Sequence, residues 1–193
     1  MRLLHLLTLY IALTLGAIAL PTLGQADMAD IAALRAGDMK KLVFHEQPKP
    51  VSQAAFTLAD GAGTATLADY HGAYILLNFW ATWCAPCRKE MPMLSALQAE
   101  FGGDEFEVLT LATGRNSPAG IAKFFDEAAI SNLPRHTDPK QALAREMGVF
   151  GLPITVILNP QGQEIARLRG DATWDSDSAK AIISALIGSS PDN

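Results

Sequence analysis

Hydrophobic and polar positions divide the chain into short alternating elements. Tyr74-Ile75-Leu76-Leu77-Asn78-Phe79-Trp80 is a nearly unbroken apolar run, the pattern of a strand covered on both faces. Phe106-Glu107-Val108-Leu109-Thr110-Leu111-Ala112 repeats it and predicts a second buried strand. Between them Met91, Leu94, Leu97 and Phe101 recur at spacings of three and four, which predicts a helix over Arg88–Phe101 with one apolar face. Pro92 removes a backbone donor there and is expected to bend it. Further helices are predicted from about Ala119 to Ala129 and from Gln141 to Met147. Ile154–Leu158 and Glu164–Leu168 flank the turn signal Asn159-Pro160-Gln161-Gly162 and should pair as an antiparallel hairpin. A helix from about Ser176 to Ile187 closes the chain.

Upstream, Ala54–Leu58 and Thr64–Thr66 enclose Asp60-Gly61-Ala62-Gly63, the composition of a hairpin turn. The stretch Asp30-Ile31-Ala32-Ala33-Leu34-Arg35-Ala36 favours a short helix that Gly37 would end. Glu46–Pro50, with two prolines, reads as a linker. Strand and helix alternate, then a hairpin and a last helix follow. That order predicts an α/β domain with a mixed central sheet, helices on both faces and an N-terminal β-hairpin extension.

At the start, Arg2 precedes an apolar run from Leu3 to Leu20, Pro21 ends it, and Gly24-Gln25-Ala26 offers a small-residue cleavage site. This pattern predicts a secretory signal cleaved after Ala26; the alternative is an uncleaved anchor formed by residues 3–20. The expected organisation is a signal over 1–26, a short helix and linker over 27–47, and the main domain over 48–190. In either case the domain faces an extracytoplasmic compartment, the periplasm.

With 49% hydrophobic and 18% charged residues, the chain suffices for a folded core. A net charge of −5, with only the short basic pairs Lys40-Lys41 and Arg88-Lys89, argues against nucleic acid as a partner.

Two cysteines remain to be explained, Cys84 and Cys87 in Trp83-Cys84-Ala85-Pro86-Cys87. They fall where the first buried strand gives way to a helix, and unpaired backbone N–H groups at a helix start favour a thiolate. The dipole contributes about 0.3–2 kcal/mol, which lowers a thiol by roughly one unit or less from about 8.5. A hydrogen bond from the Cys87 thiol would supply more. Residues three apart share a helix face, so the two sulfurs can meet and can also join as a disulfide. Pro86 is tolerated in a first turn. Thiol-disulfide exchange then assigns Cys84 as the attacking thiolate and Cys87, one turn in and less exposed, as the resolving thiol.

A zinc site lacks further cysteines and has only four histidines in the whole chain to draw on. A structural disulfide across two residues would stabilise little. No metal or bound cofactor is expected beyond the redox-active Cys84-Cys87 pair. His45, His71 and His136 have no assignable partner and read as surface or capping residues. Met91 and Met93 read as core packing.

The segment from Asn78 to Pro92, Asn78-Phe79-Trp80-Ala81-Thr82-Trp83-Cys84-Ala85-Pro86-Cys87-Arg88-Lys89-Glu90-Met91-Pro92, resembles the active-site segment of TlpA-like thioredoxins, the bacterial group that includes the ResA and CcmG proteins. The likeness runs over roughly residues 48–188 and within the group is greatest to TlpA. It implies a thioredoxin fold and a thiol:disulfide oxidoreductase. It also implies that Pro153 in Gly151-Leu152-Pro153 is a cis-proline facing the cysteines, with the Leu152 backbone free to pair with a substrate strand. Trp83, Pro86, Leu152 and Pro153 together make the expected docking surface. Glu90 matches an acidic residue used near the cysteines, as a partly buried carboxyl that shuttles protons; the competing reading is a solvated glutamate of the first turn. General thioredoxins carry a buried Asp where this chain has Asn78, so Glu90 is expected to take over that duty.

The resemblance further implies a monomeric reductase, recharged by a membrane electron donor of the DsbD or CcdA kind. Its clients would be disulfides in apocytochrome c or in copper-site proteins of cytochrome oxidase assembly. Two other classes compete. A Sco-like copper-binding factor would need a histidine, for which His136 is the candidate, and spaces its cysteines differently. A thiol peroxidase needs a Thr three residues before the reactive Cys, where this chain has Ala81.

Overall fold

A computed structural model describes residues 23–188. The expected signal or anchor lies outside the described residues up to residue 22, and Leu23 already begins the first helix, α1 (Leu23–Ala33). Among the described residues no helix is long and apolar enough to cross a membrane.

The strands are β1 (Val43–Lys49), β2 (Phe56–Thr57), β3 (Thr64–Ala65), β4 (Tyr74–Trp80), β5 (Phe106–Thr113), β6 (His136–Asp138), β7 (Ile154–Leu158) and β8 (Glu164–Arg169). The remaining helices are α2 (Ala85–Phe101), α3 (Pro118–Glu127), α4 (Ala142–Glu146) and α5 (Asp177–Gly188). All eight strands form one sheet in the order β1-β8-β7-β4-β5-β6-β2-β3. The sheet is mixed: β4 pairs with β5 in parallel and with β7 antiparallel, and β7 pairs with β8 as the expected hairpin. The fold is the thioredoxin fold. The β2–β3 hairpin joins it at Thr57, which lies opposite Thr137 of β6.

Period-two alternation along β4 sends Leu76 and Trp80 into one half of the core and Ile75, Leu77 and Phe79 into the other. The first half holds α2, α3 and α5, through Met91, Leu94, Phe124, Phe125, Ile182 and Ile183; the second holds Leu143 and Ala144 of α4. Asn78 has the parity of Leu76 and Trp80, so it faces the layer that contains α2. Thr155 of β7 lies opposite Asn78. In the β7–β8 turn Gly162 has φ +73°, and a Cβ there would come within 2.2 Å of His71 Nε2. A side chain there would be strained by the backbone conformation, and the His71 ring would have to move aside for it.

Two expectations are corrected. Glu46–Pro50 is not a linker: all but Pro50 belongs to β1, which pairs antiparallel with β8 at the sheet edge. An edge strand tolerates proline, and Pro48 falls in the stretch where the β1–β8 register shifts between Phe44 and Lys49. The N-terminal helix also lies earlier than expected, ending at Ala33, with Gly37 opening a 3-10 turn instead of closing the helix. That turn buries Met39 in the core, and Ser178 of α5 ties it down by donating to Leu34 O (2.8 Å) and accepting from Ala36 N (2.9 Å).

Candidate active site

The helix that carries the cysteines begins where β4 ends. Cys84 is its N-cap, in extended conformation, and its sulfur accepts from the Cys87 backbone N–H at 3.3 Å. Pro86 occupies the first turn, where no intrahelical donor is lost. Cys84 and Cys87 are joined in a disulfide with their Cα atoms 5.3 Å apart. Cys84 retains 6% exposure and Cys87 none, so Cys84 is the sulfur open to a partner.

The buried face of α2 comprises Cys87, Glu90, Met91, Leu94 and Leu97. Extending the apolar stripe one turn towards the helix start lands on Cys87 and Glu90, and this is the signal that places the carboxyl inside. Glu90 is fully buried, which removes the reading of a solvated first-turn glutamate. Its Oε1 accepts from Asn78 Nδ2 (2.8 Å), and its Oε2 from Ala172 N (3.2 Å) and Trp174 Nε1 (3.2 Å). Burial pushes its pKa up to about 7, against the opposing pull of these three donors. Asn78 Nδ2 also donates to Thr155 Oγ1 at 2.9 Å, while Asn78 Oδ1 is buried without a hydrogen-bond partner. The residue that stands where general thioredoxins have an acid thus supports Glu90 directly.

Of the residues expected to receive a client, Trp83 is 65% exposed and Pro86 is exposed, whereas Pro153 is buried and Leu152 half-buried. The Leu152–Pro153 peptide bond is cis. Sequence reasoning missed two contributors here. Asn116 accepts from Thr82 N (2.8 Å) and Thr82 Oγ1 (2.9 Å) and donates to Thr113 O (3.0 Å), fastening the loop before the cysteines to the end of β5. Phe150, in the loop that leads to Pro153, is 89% exposed. Nothing local in the sequence marks Asn116, but an aromatic beside Gly151-Leu152-Pro153 outside any apolar periodicity marks Phe150.

The histidines are better partnered than expected. His45 Nε2 lies 2.8 Å from Glu164 Oε1, and Arg167 holds the same carboxylate from Nε (2.7 Å) and Nη2 (2.6 Å). Burial raises the Glu164 pKa, but hydrogen bonds from Arg167 and then His45 outweigh it and leave the pKa below the usual value. His136 is buried; its Nδ1 accepts from Ala59 N (2.9 Å) and its Nε2 meets Tyr70 Oη (3.1 Å). Both ring nitrogens of the candidate copper ligand are engaged within the fold, and burial lowers its pKa towards the neutral ring. His71 packs beside Gly162 in the β7–β8 turn.

Comparison with known proteins agrees with this architecture. ResA, a thiol-disulfide oxidoreductase of Bacillus subtilis (strain 168), is 30% identical over 119 residues, 61% of this chain and 65% of that protein. The chain therefore spans just under two thirds of that relative's length. Among solved structures, a protein described as a DsbE thiol:disulfide interchange protein from Chlorobium tepidum superposes with a TM-score of 0.61 at 26% identity, covering 72% of this chain and 98% of its own. The exposed lipoprotein thioredoxin Etrx1 of Streptococcus pneumoniae strain TIGR4 gives a TM-score of 0.56 at 27% identity, covering 70% and 98%. The AhpC/TSA family matches residues 51–165, a span that runs from the first hairpin through the Cys84–Cys87 disulfide and Pro153 into β8. By that match and by its similarity to ResA, the chain belongs to the AhpC/TSA family, within its group of TlpA-, ResA- and CcmG-like thioredoxins.

Proposed function

We propose that this protein is an exported thiol-disulfide oxidoreductase that reduces disulfides of client proteins outside the cytoplasm. The observation that carries the reading is a disulfide at the start of α2 with one sulfur accessible, and a fully buried carboxyl one turn further along the same helix face. In the reduced protein the Cys84 thiolate attacks a client disulfide; a Cys84–client bond forms and one client sulfur leaves as a thiolate that takes up a proton. Cys87 then loses its proton and attacks Cys84 Sγ, closing the intramolecular disulfide and releasing the second client thiol. Two electrons pass to the client. In this reading Glu90, three residues on along the buried face of α2 and with its pKa raised by burial to about 7, accepts the Cys87 proton.

In this reading Trp83, Pro86 and Leu152 form the surface against which the client lies, and the buried cis Pro153 fixes the Leu152 backbone with which the client's strand pairs. The clients in this reading are apocytochrome c or copper-site proteins, and a membrane donor of the DsbD or CcdA kind restores the dithiol of the monomer. Residues 1–26 direct export, by a cleaved signal or as an anchor through residues 3–20. A peroxidase reading is disfavoured because fully buried Ala81 stands where a Thr would activate peroxide.

Trapping with Cys87→Ser tests the proposal. Without the resolving thiol, clients should remain bound to Cys84 as mixed disulfides that thiol reductants release. Recovery of no disulfide-linked partner, or tight retention of copper by the reduced wild-type protein, would overturn it.

A further inference from the structure

Beside the exposed Trp83 lies a cleft of about 750 Å³ whose charged lining is of one sign: Arg115, Lys140 and Arg145. Among the described residues none of the three pairs with a carboxylate, although acidic residues outnumber basic ones, 20 to 15, in the whole chain. All three are exposed. The cleft is also held in shape. Trp83 Nε1 donates to Arg115 O at 3.3 Å, and the Arg145 guanidinium donates to the Lys140 and Gln141 carbonyls, with Nε 3.1 Å from Gln141 O. Gln141 adopts φ +55°, an uncommon conformation for a residue with a side chain, and packs against Gly114.

A second cleft, of about 390 Å³, shares Trp83, Gln141 and Arg145 with the first and continues to Phe150 and Leu152. An apolar floor beside the cysteines thus runs into a cationic end. The groove that Pro153 lines carries both signs, with Glu146 and Glu164 among Lys49, Arg167 and Arg169, whereas the charged lining of the Trp83 cleft is of one sign.

We propose that this cleft selects clients whose cysteine is flanked by acidic residues, which Arg115, Lys140 and Arg145 receive while Trp83 and Phe150 cover the segment next to the cysteine. The inference rests on the oxidoreductase reading and names its substrate class. Charges of opposite sign at such a site act mainly on the rate of encounter, and salt weakens them.

The test uses two synthetic peptides that carry one cysteine as a thiopyridyl mixed disulfide, flanked by Asp in one and by Lys in the other. Release of thiopyridone by the reduced protein is followed, and each rate is divided by that protein's rate with dithiodipyridine, a small neutral disulfide. At low salt the acidic peptide should react roughly tenfold faster than the basic one. High salt should bring the ratio towards one, Arg115→Gln with Lys140→Gln should do the same at low salt, and Arg115→Glu with Lys140→Glu should invert it. Equal rates for the two peptides at low salt, or a preference that survives charge reversal, would overturn the inference. Failure of dithiodipyridine itself to react would count against the oxidoreductase reading instead. In that event titration calorimetry of the oxidised protein with Ser-for-Cys peptides still reads the cleft: the acidic peptide should bind more tightly and lose that advantage on charge reversal, and equal binding would reject the cleft.

Discussion

Replacing Glu90 by Gln should remove one stretch of pH dependence from the stability of the oxidised protein. Burial raises the Glu90 carboxyl from 4.5 to about 7 in the folded state. Between those values the native protein holds a proton that the unfolded chain has released, so unfolding free energy falls as pH rises through the window and levels off above about 7. At 1.36 kcal/mol per unit the whole loss is roughly 3 kcal/mol. The full benefit is present below pH 4.5, the reverse of an ordinary salt-bridged carboxylate. Glutamine stays neutral throughout, yet its NH2 must face donors from Asn78, Ala172 or Trp174, so a constant penalty is expected as well. The diagnostic quantity is therefore the difference in slope and not the offset. Urea unfolding of both proteins from about pH 5 to about pH 8 measures it, with the disulfide intact so that no thiol titrates. Every other titratable group is common to both proteins and cancels in the difference. Between pH 5 and pH 8 the wild type should lose roughly 2.5 kcal/mol relative to the variant, the first part of the loss falling below pH 5. Parallel curves would refute the reasoning, because a buried carboxyl that keeps its ordinary pKa contributes no such slope.

Asn78→Leu removes the donor nearest the Glu90 charge, so the Glu90 pKa should climb further and the variant should lose up to about 1.4 kcal/mol more at pH 8 than at pH 5 in urea unfolding, the limit at which the carboxyl keeps its proton throughout; equal losses at both would reject this. Arg167→Met leaves buried Glu164 with His45 as its remaining side-chain hydrogen-bond partner and should cost about 3–5 kcal/mol near neutral pH, shrinking as acid protonates the carboxyl; a loss independent of pH by the same assay would show that packing, not charge, is responsible. Asn116→Ala frees the Thr82 backbone and hydroxyl and should cost about 1–3 kcal/mol by thermal or urea unfolding, with slower exchange towards peptide disulfides than towards dithiodipyridine. Equal slowing of both would mean that the loop does not act in docking.

The buried strands β4 and β5, the cysteine helix and the β7–β8 hairpin were legible because each is long enough for its period to show. Three-residue β6 was not: His136-Thr137-Asp138 has no apolar run, and it is a strand because β5 and β2 lie on either side of it. Pro48 within β1 and Pro50 just after it concealed an edge strand, since local propensity carries no information about which side of a strand will go unpaired.

The same division runs through the candidate site. The chain alone determined that two cysteines share the first turn of a helix after a buried strand, because three-residue spacing and helix periodicity are local properties. It did not determine that Glu90 is dry or held by Asn78, Ala172 and Trp174, because those partners come from β4 and from the segment before α5. Nor did it reveal that Arg115, Lys140 and Arg145 converge beside Trp83; parallel pairing of β5 with β6 brings together loops that are far apart in the chain. Burial and electrostatics are sums over neighbours in space, so the environment of the disulfide was settled only when the sheet and its helices came together.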